Sequence, residues 1–223
     1  MKIFVLGLPK TGTTTLGLCL TKLGYKKAGY NIDFINAVAD FLSNNEIDDK
    51  KLETIIKSEV DKYEVFEDWP YPLLTERLFT MYPDSFFILS KRKDEKVWLN
   101  SLQKHTKRNN SQKSKCLRSI FYGNDDPFLN GLHYELFYLN HNSSIVNKFK
   151  NNNKFLEICF ETGDGWLQIC EFLQKDIPNI PIPYANNSDS KRGITYFINR
   201  IINRFKFLIK KFILKLFNQN YAK

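Results

Sequence analysis

Ile3-Phe4-Val5-Leu6-Gly7-Leu8-Pro9-Lys10-Thr11-Gly12-Thr13-Thr14-Thr15 is the segment from which the rest of the chain can be read. Its first half is short, apolar and bounded by turn formers, so it reads as a buried strand over 2–8. Its second half opens a helix over about 13–23, on which Leu16, Leu18, Leu20 and Leu23 fall. A strand that feeds a glycine- and hydroxyl-rich loop into a helix makes an anion cradle. Successive backbone N–H groups point inward, and the helix N-terminus carries roughly half a positive charge. Gly12 lets the backbone approach a ligand, Lys10 supplies a cation, and the threonine hydroxyls supply donors. A nucleotide triphosphatase loop reads GxxxxGK[ST], whereas here the lysine precedes the second glycine, so that pattern is not met. Nor does the segment read as a secretory leader, because Pro9-Lys10 breaks the apolar run at once.

Beyond the loop, strands and helices alternate. Helical patterns are expected near 33–43 and 48–59, a second strand over 63–66, and a helix over 71–81. Phe86-Phe87-Ile88-Leu89 is an all-apolar third strand, followed by a helix over about 95–107 and a long, mostly helical stretch from 111 to 149. Residues 155–160 form a fourth strand, and Gly163-Asp164-Gly165 turns into a helix from Trp166 to Leu173. Apolar strands separated by helices predict a parallel α/β sheet covered on both faces, in three layers. Pro178, Pro181 and Pro183 mark the exit from a body spanning 1–187, and residues 188–223 form a separate tail.

Composition narrows the possibilities. With 223 residues and 43% hydrophobic content, the chain is neither disordered nor a disulfide-stapled miniature, and its length suits one domain. Cys19, Cys116, Cys159 and Cys170 lie far apart without a CxxC pair, which fits a reducing, cytoplasm-like setting. The formal net charge is +9, yet the chain from Lys191 onward carries basic residues and no acidic one, so residues 1–190 are balanced. A nucleic-acid-binding body is therefore not expected. In the tail, Ile194, Phe197, Ile198, Ile201, Ile202 and Phe205 begin an apolar stripe at three- and four-residue spacing, with Arg200, Arg204, Lys206, Lys210, Lys211 and Lys215 mainly opposite. Such an amphipathic helix suits either an anionic membrane surface, bound through 194–217, or packing against its own domain. No stretch is long and apolar enough to span a bilayer.

Three blocks in order carry a family likeness. Pro-Lys-Thr-Gly-Thr-Thr-Thr-Leu at 9–16 resembles the 5′-phosphosulfate loop of sulfotransferases that use 3′-phosphoadenosine-5′-phosphosulfate. Glu67-Asp68-Trp69-Pro70, followed by a helix and then Ile88-Leu89-Ser90-Lys91-Arg92, resembles the DWP and strand-plus-arginine blocks of one branch. Phe155-Leu156-Glu157-Ile158, Gly163-Asp164-Gly165-Trp166 and Pro181-Ile182-Pro183 resemble that branch's last strand, helix and exit. The resemblance implies that Lys10, Thr11, Gly12, Thr13, Thr14 and Thr15 hold the 5′-phosphosulfate, with Lys10 balancing charge on the leaving oxygen. It also implies that Arg92 and Ser101 grip the 3′-phosphate, although Ser101 stands one position farther on than is usual in the family.

The slot that holds a base in the cytosolic branch is occupied by Asp68, with Glu67 as its neighbour. The implied activity is sulfuryl transfer to a hydroxyl of a small molecule, glycan or lipid, without a metal. A P-loop kinase-like phosphotransferase, or an inactive binding module, is the alternative. His105, His133 and His141 read as surface or packing residues, and Asp125-Asp126 as a turn. The aromatic residues Phe121, Tyr122, Phe128, Tyr134, Phe137 and Tyr138 are expected in an acceptor wall.

Overall fold

Side chains that alternate along short apolar strands divide the core between two faces of one sheet. A computed structural model describes residues 1–43 and 47–185. Its strands are β1 (Ile3–Val5), β2 (Val65–Phe66), β3 (Phe86–Ser90) and β4 (Phe155–Ile158), all parallel and ordered β2-β1-β3-β4. Phe4 registers with Phe66 on one side and with Phe87 on the other, and Ile88 registers with Leu156.

The helices are α1 (Thr13–Lys22), α2 (Ile32–Leu42), α3 (Asp49–Val60), α4 (Thr75–Met81), α5 (Glu95–Arg108), α6 (Gln112–Tyr122), α7 (Gly131–Phe149) and α8 (Trp166–Leu173). Phe4, Leu6, Phe66, Phe87 and Leu89 pack against α2, α3, α4 and the C-terminal half of α7. Ile3, Val5, Val65, Ile88 and Ile158 pack against α1 and α8. This is the three-layer α/β/α arrangement expected from the sequence. Burying each such aliphatic or aromatic side chain stabilises the fold by roughly 1.5–3 kcal/mol.

The chain departs from the sequence pattern where side chains compete with the backbone. The stretch 111–149 is two helices, because Gly123 at φ 73° ends α6 and a turn follows. In that turn Asp126 N donates to the Asn124 side chain, and Phe128 N donates to the Asp126 carboxylate. The helix expected over 71–81 begins as a one-turn 3-10 helix, Tyr71–Leu74, before α4. The fourth strand stops at Ile158, because the Asp164 carboxylate takes the Cys159 N–H at 2.7 Å and a 3-10 turn follows over Phe160–Thr162. The four cysteines are free thiols. The proposed tail helix lies outside the described residues. Among the described residues, no helix is long and apolar enough to cross a membrane.

All four strands run the same way, so the loops leaving them gather at one edge. β1 has β2 on one side and β3 on the other, and the chain turns onto opposite faces after β1 and after β3. The crevice outside the carboxyl ends of β1 and β3 is therefore a topological switch point, where ligands of open α/β sheets bind.

Candidate functional site

The loop after β1 is held from three directions. Gly7 has no room for a side chain, since a Cβ there would collide with Ser90 and with the Thr11 hydroxyl. Thr11 is buried; its hydroxyl donates to the Leu8 carbonyl at 2.7 Å and lies 2.8 Å from the Ser90 hydroxyl. The Trp98 indole of α5 donates to the Pro9 carbonyl at 2.9 Å. Lys10 and Gly12 adopt left-handed φ values of 78° and 95°, which curl the loop into the start of α1. Gly12 is the N-cap and makes no side-chain capping hydrogen bond to the first N–H groups of α1. Of the other loop threonines, Thr13 and Thr15 are buried, Thr14 is half-buried, and Thr15 Oγ1 accepts the Ala185 N–H at 3.2 Å.

Arg92, leaving β3, meets this loop. Its Nη1 donates to the Lys10 carbonyl at 3.1 Å, and its backbone N–H donates to the Tyr138 hydroxyl at 2.9 Å. Its Nη2 pairs with Glu161 at 2.5 Å, and the Lys93 N–H donates to the other oxygen of that carboxylate at 3.0 Å. The hydrogen bond from Arg92 is the main reason the Glu161 carboxyl is held below its usual range. Lys91 points elsewhere, into an ion pair with Glu157 of β4. Ser101 is half-buried on α5, one turn beyond the buried Trp98.

Asp68 follows β2 with φ 68°, its carboxylate accepting the Trp69 N–H at 2.8 Å, ahead of a cis Trp69–Pro70 bond. Burial pushes its carboxyl up from the ordinary aspartate value, and the charge of Glu67 adds to that. The Trp69 N–H and the positive charges of Lys10 and Lys27 pull the other way. Asp68 thus lies within electrostatic reach of Lys10, and the loops after β1 and β2 contribute to one site. Glu67 is turned toward α1, paired with Lys27 at 3.0 Å and lying where a Gly17 side chain would otherwise be.

An aromatic layer flanks Asp68. Trp69 packs against Phe121 and Tyr122, with ring centroids 4.8 and 5.2 Å apart, and Trp98 stacks on Tyr138 at 4.9 Å. Tyr122, Tyr134 and Tyr138 are buried in this layer, whereas Phe128 is exposed beneath Lys107. Phe128 is thus the member of the expected wall that lies outside it. His133 bonds the Tyr122 carbonyl at 2.6 Å, and His141 bonds the Leu6 carbonyl at 2.8 Å beside the Phe137 ring. Burial lowers the His141 value, so its ring sits neutral under the start of the loop.

The structure therefore gathers Lys10, Thr11, Gly12, Thr13, Thr14, Thr15, Asp68 and Arg92 at one edge of the sheet. It also adds Glu161 and Trp98, which no sequence motif marks, and brings Tyr138, expected in the acceptor wall, and His141, expected as a packing residue, against the same loops. Among the described residues, no cluster of His, Cys, Asp and Glu is arranged to hold a metal ion.

The chain resembles known proteins over most of its length. The profile of a family described as "Sulfotransferase domain" matches residues 2–191. A protein from Aspergillus versicolor described as "Ava biosynthesis cluster protein M" is 24% identical over 225 aligned positions, covering 85% of this chain and 82% of that protein.

Proposed function

The chain belongs to the sulfotransferase domain family, and from that premise we propose that it moves a sulfuryl group from 3′-phosphoadenosine-5′-phosphosulfate to a hydroxyl of a small-molecule, glycan or lipid acceptor. In this reading the donor's 5′-phosphosulfate enters the cradle of Lys10, Thr11, Gly12, Thr13, Thr14 and Thr15. Its 3′-phosphate meets Arg92, whose planar fork suits a phosphate, together with Ser101. The sulfur–oxygen bond to the phosphate breaks as one to the acceptor oxygen forms, and the bonding pair stays on the departing phosphate oxygen. Lys10 and the α1 N-terminus balance that charge. The acceptor's proton passes to Asp68. Glu67 is engaged by Lys27, which leaves Asp68 as the carboxylate to act as base. Its raised value makes it a better proton acceptor than an ordinary aspartate.

The observation that supports this reading most is the Arg92 guanidinium lying on the carbonyl of Lys10. It brings a guanidinium from the end of β3 to the loop after β1, as a site for a doubly phosphorylated donor requires. Calorimetric titration of the purified full chain tests it. Adenosine 3′,5′-bisphosphate is expected to bind without magnesium, and Lys10→Ala or Arg92→Ala is expected to weaken that binding at least about tenfold, the loss of a charge-assisted contact. Unchanged affinity in both variants, or binding of ATP with magnesium in place of the bisphosphate, would overturn it.

A further inference from the structure

Glu161 is a charged group at the mouth of this site to which the reaction assigns no task. Its carboxylate holds the Arg92 guanidinium with one oxygen, at 2.5 Å, and the Lys93 N–H with the other, at 3.0 Å. A cation and a backbone amide that converge on one small anion at a strand end form the kind of seat that holds a phosphate. Arg92 is also the group that the donor's 3′-phosphate would use. The carboxylate is therefore an anion resting on phosphate-binding donors.

The segment that carries it is one short turn at the mouth of the site. Glu161 sits on the single 3-10 turn Phe160–Thr162, which Gly163 ends at φ 100°, and its side chain is 30% exposed. The preceding ring, Phe160, lies over the donor loop, where a Cβ on Gly12 would come within 3.0 Å of it. One short turn thus covers both Gly12 and Arg92.

We propose that Glu161 is an internal competitor, occupying the 3′-phosphate seat on Arg92 and Lys93 until the donor displaces it and returning to that seat as the bisphosphate product leaves. This rests on the sulfotransferase reading above. A dianionic phosphate with three acceptor oxygens outcompetes one carboxylate, so the donor still binds. The waiting carboxylate keeps the product from binding too tightly. A nucleotide without a 3′-phosphate has nothing to exchange with it.

The test compares adenosine 3′,5′-bisphosphate with adenosine 5′-monophosphate by calorimetry on the full chain, with product dissociation followed by stopped flow. Glu161→Gln is expected to bind the bisphosphate about three- to tenfold more tightly and to release it more slowly, the range of an exposed to half-buried charged contact. Its affinity for the monophosphate should stay within about twofold. Glu161→Ala should shift in the same direction, which guards against an effect peculiar to glutamine. Equal or weaker bisphosphate binding in both variants, with the wild type binding normally, would make Glu161 a positioning residue for Arg92 and overturn the proposal alone. Equal tightening toward both nucleotides would also overturn it. If neither wild type nor variants bind the bisphosphate, the donor reading falls with it.

Discussion

Lys10 and Asp68 are non-glycine residues in the left-handed backbone region, and both stand at the ends of neighbouring strands where the site forms. Holding an L-residue there costs about 1–2 kcal/mol, a cost the surrounding loops must offset. The conformation turns Lys10's carbonyl to Arg92 and lets Asp68 fold its carboxylate onto the next N–H. Asp68 makes the sharpest residue-level prediction. A base works deprotonated, and burial raises this carboxyl, so activity should fall as pH drops through a value above the ordinary aspartate range near ~3.9. Asp68→Asn should lower kcat by about 10²–10⁴-fold and remove that acidic limb, with bisphosphate affinity little changed. A pH–rate profile at saturating donor and acceptor measures both. An acidic limb in the ordinary aspartate range, or one that persists in the variant, would assign the proton to another group.

At the scale of elements, the strand–loop–helix unit after β1 works because its neighbours leave it one conformation. Ser90 ends β3 fully buried and meets Thr11 across the space that a Gly7 side chain would need. Trp98 anchors Pro9 from α5, and His141 bonds the Leu6 carbonyl from α7. Gly7→Ala should therefore destabilise the fold by about 1–3 kcal/mol, the usual cost of overpacking a tight site. It should also weaken bisphosphate binding, since the loop must shift to accommodate the methyl. Urea unfolding monitored by tryptophan fluorescence, paired with the titration, measures both effects. Stability equal to the wild type would show that the β1–β3 approach is looser than the contact distances imply. Asp164 acts similarly at β4: by taking the Cys159 N–H it ends the strand early and starts the turn that brings Glu161 to Arg92.

For the whole molecule, parallel strands joined by helical crossovers place four separate loops at one edge, while the net charge of +9 resides in the tail. The basic, amphipathic pattern of 194–217 predicts that the full chain co-sediments with anionic lipid vesicles and that a truncation ending at Asn187 does so far less, with salt weakening the effect. Equal sedimentation of the two would assign the tail to its own domain. The sequence by itself determined the strand–loop–helix start and the parallel sheet with helices on both faces, and it singled out the loop proposed to hold the donor. Those follow from local rules: the period of apolar residues, the bounds set by Gly and Pro, and a run of consecutive Lys, Thr and Gly residues after a strand. The placement of Arg92 and Asp68 beside that loop was legible too, because each stands two residues after a recognisable strand. Only the tertiary structure decided that Glu161 sits on Arg92, that Glu67 is taken by Lys27 while Asp68 is buried within electrostatic reach of Lys10, and that His141 bonds the Leu6 carbonyl. Each of these joins residues remote in the chain, through contacts that depend on strand order and on where a turn replaces a strand. Such contacts leave no periodicity or spacing in the sequence, because the backbone fold, and not neighbouring residues, brings the groups together.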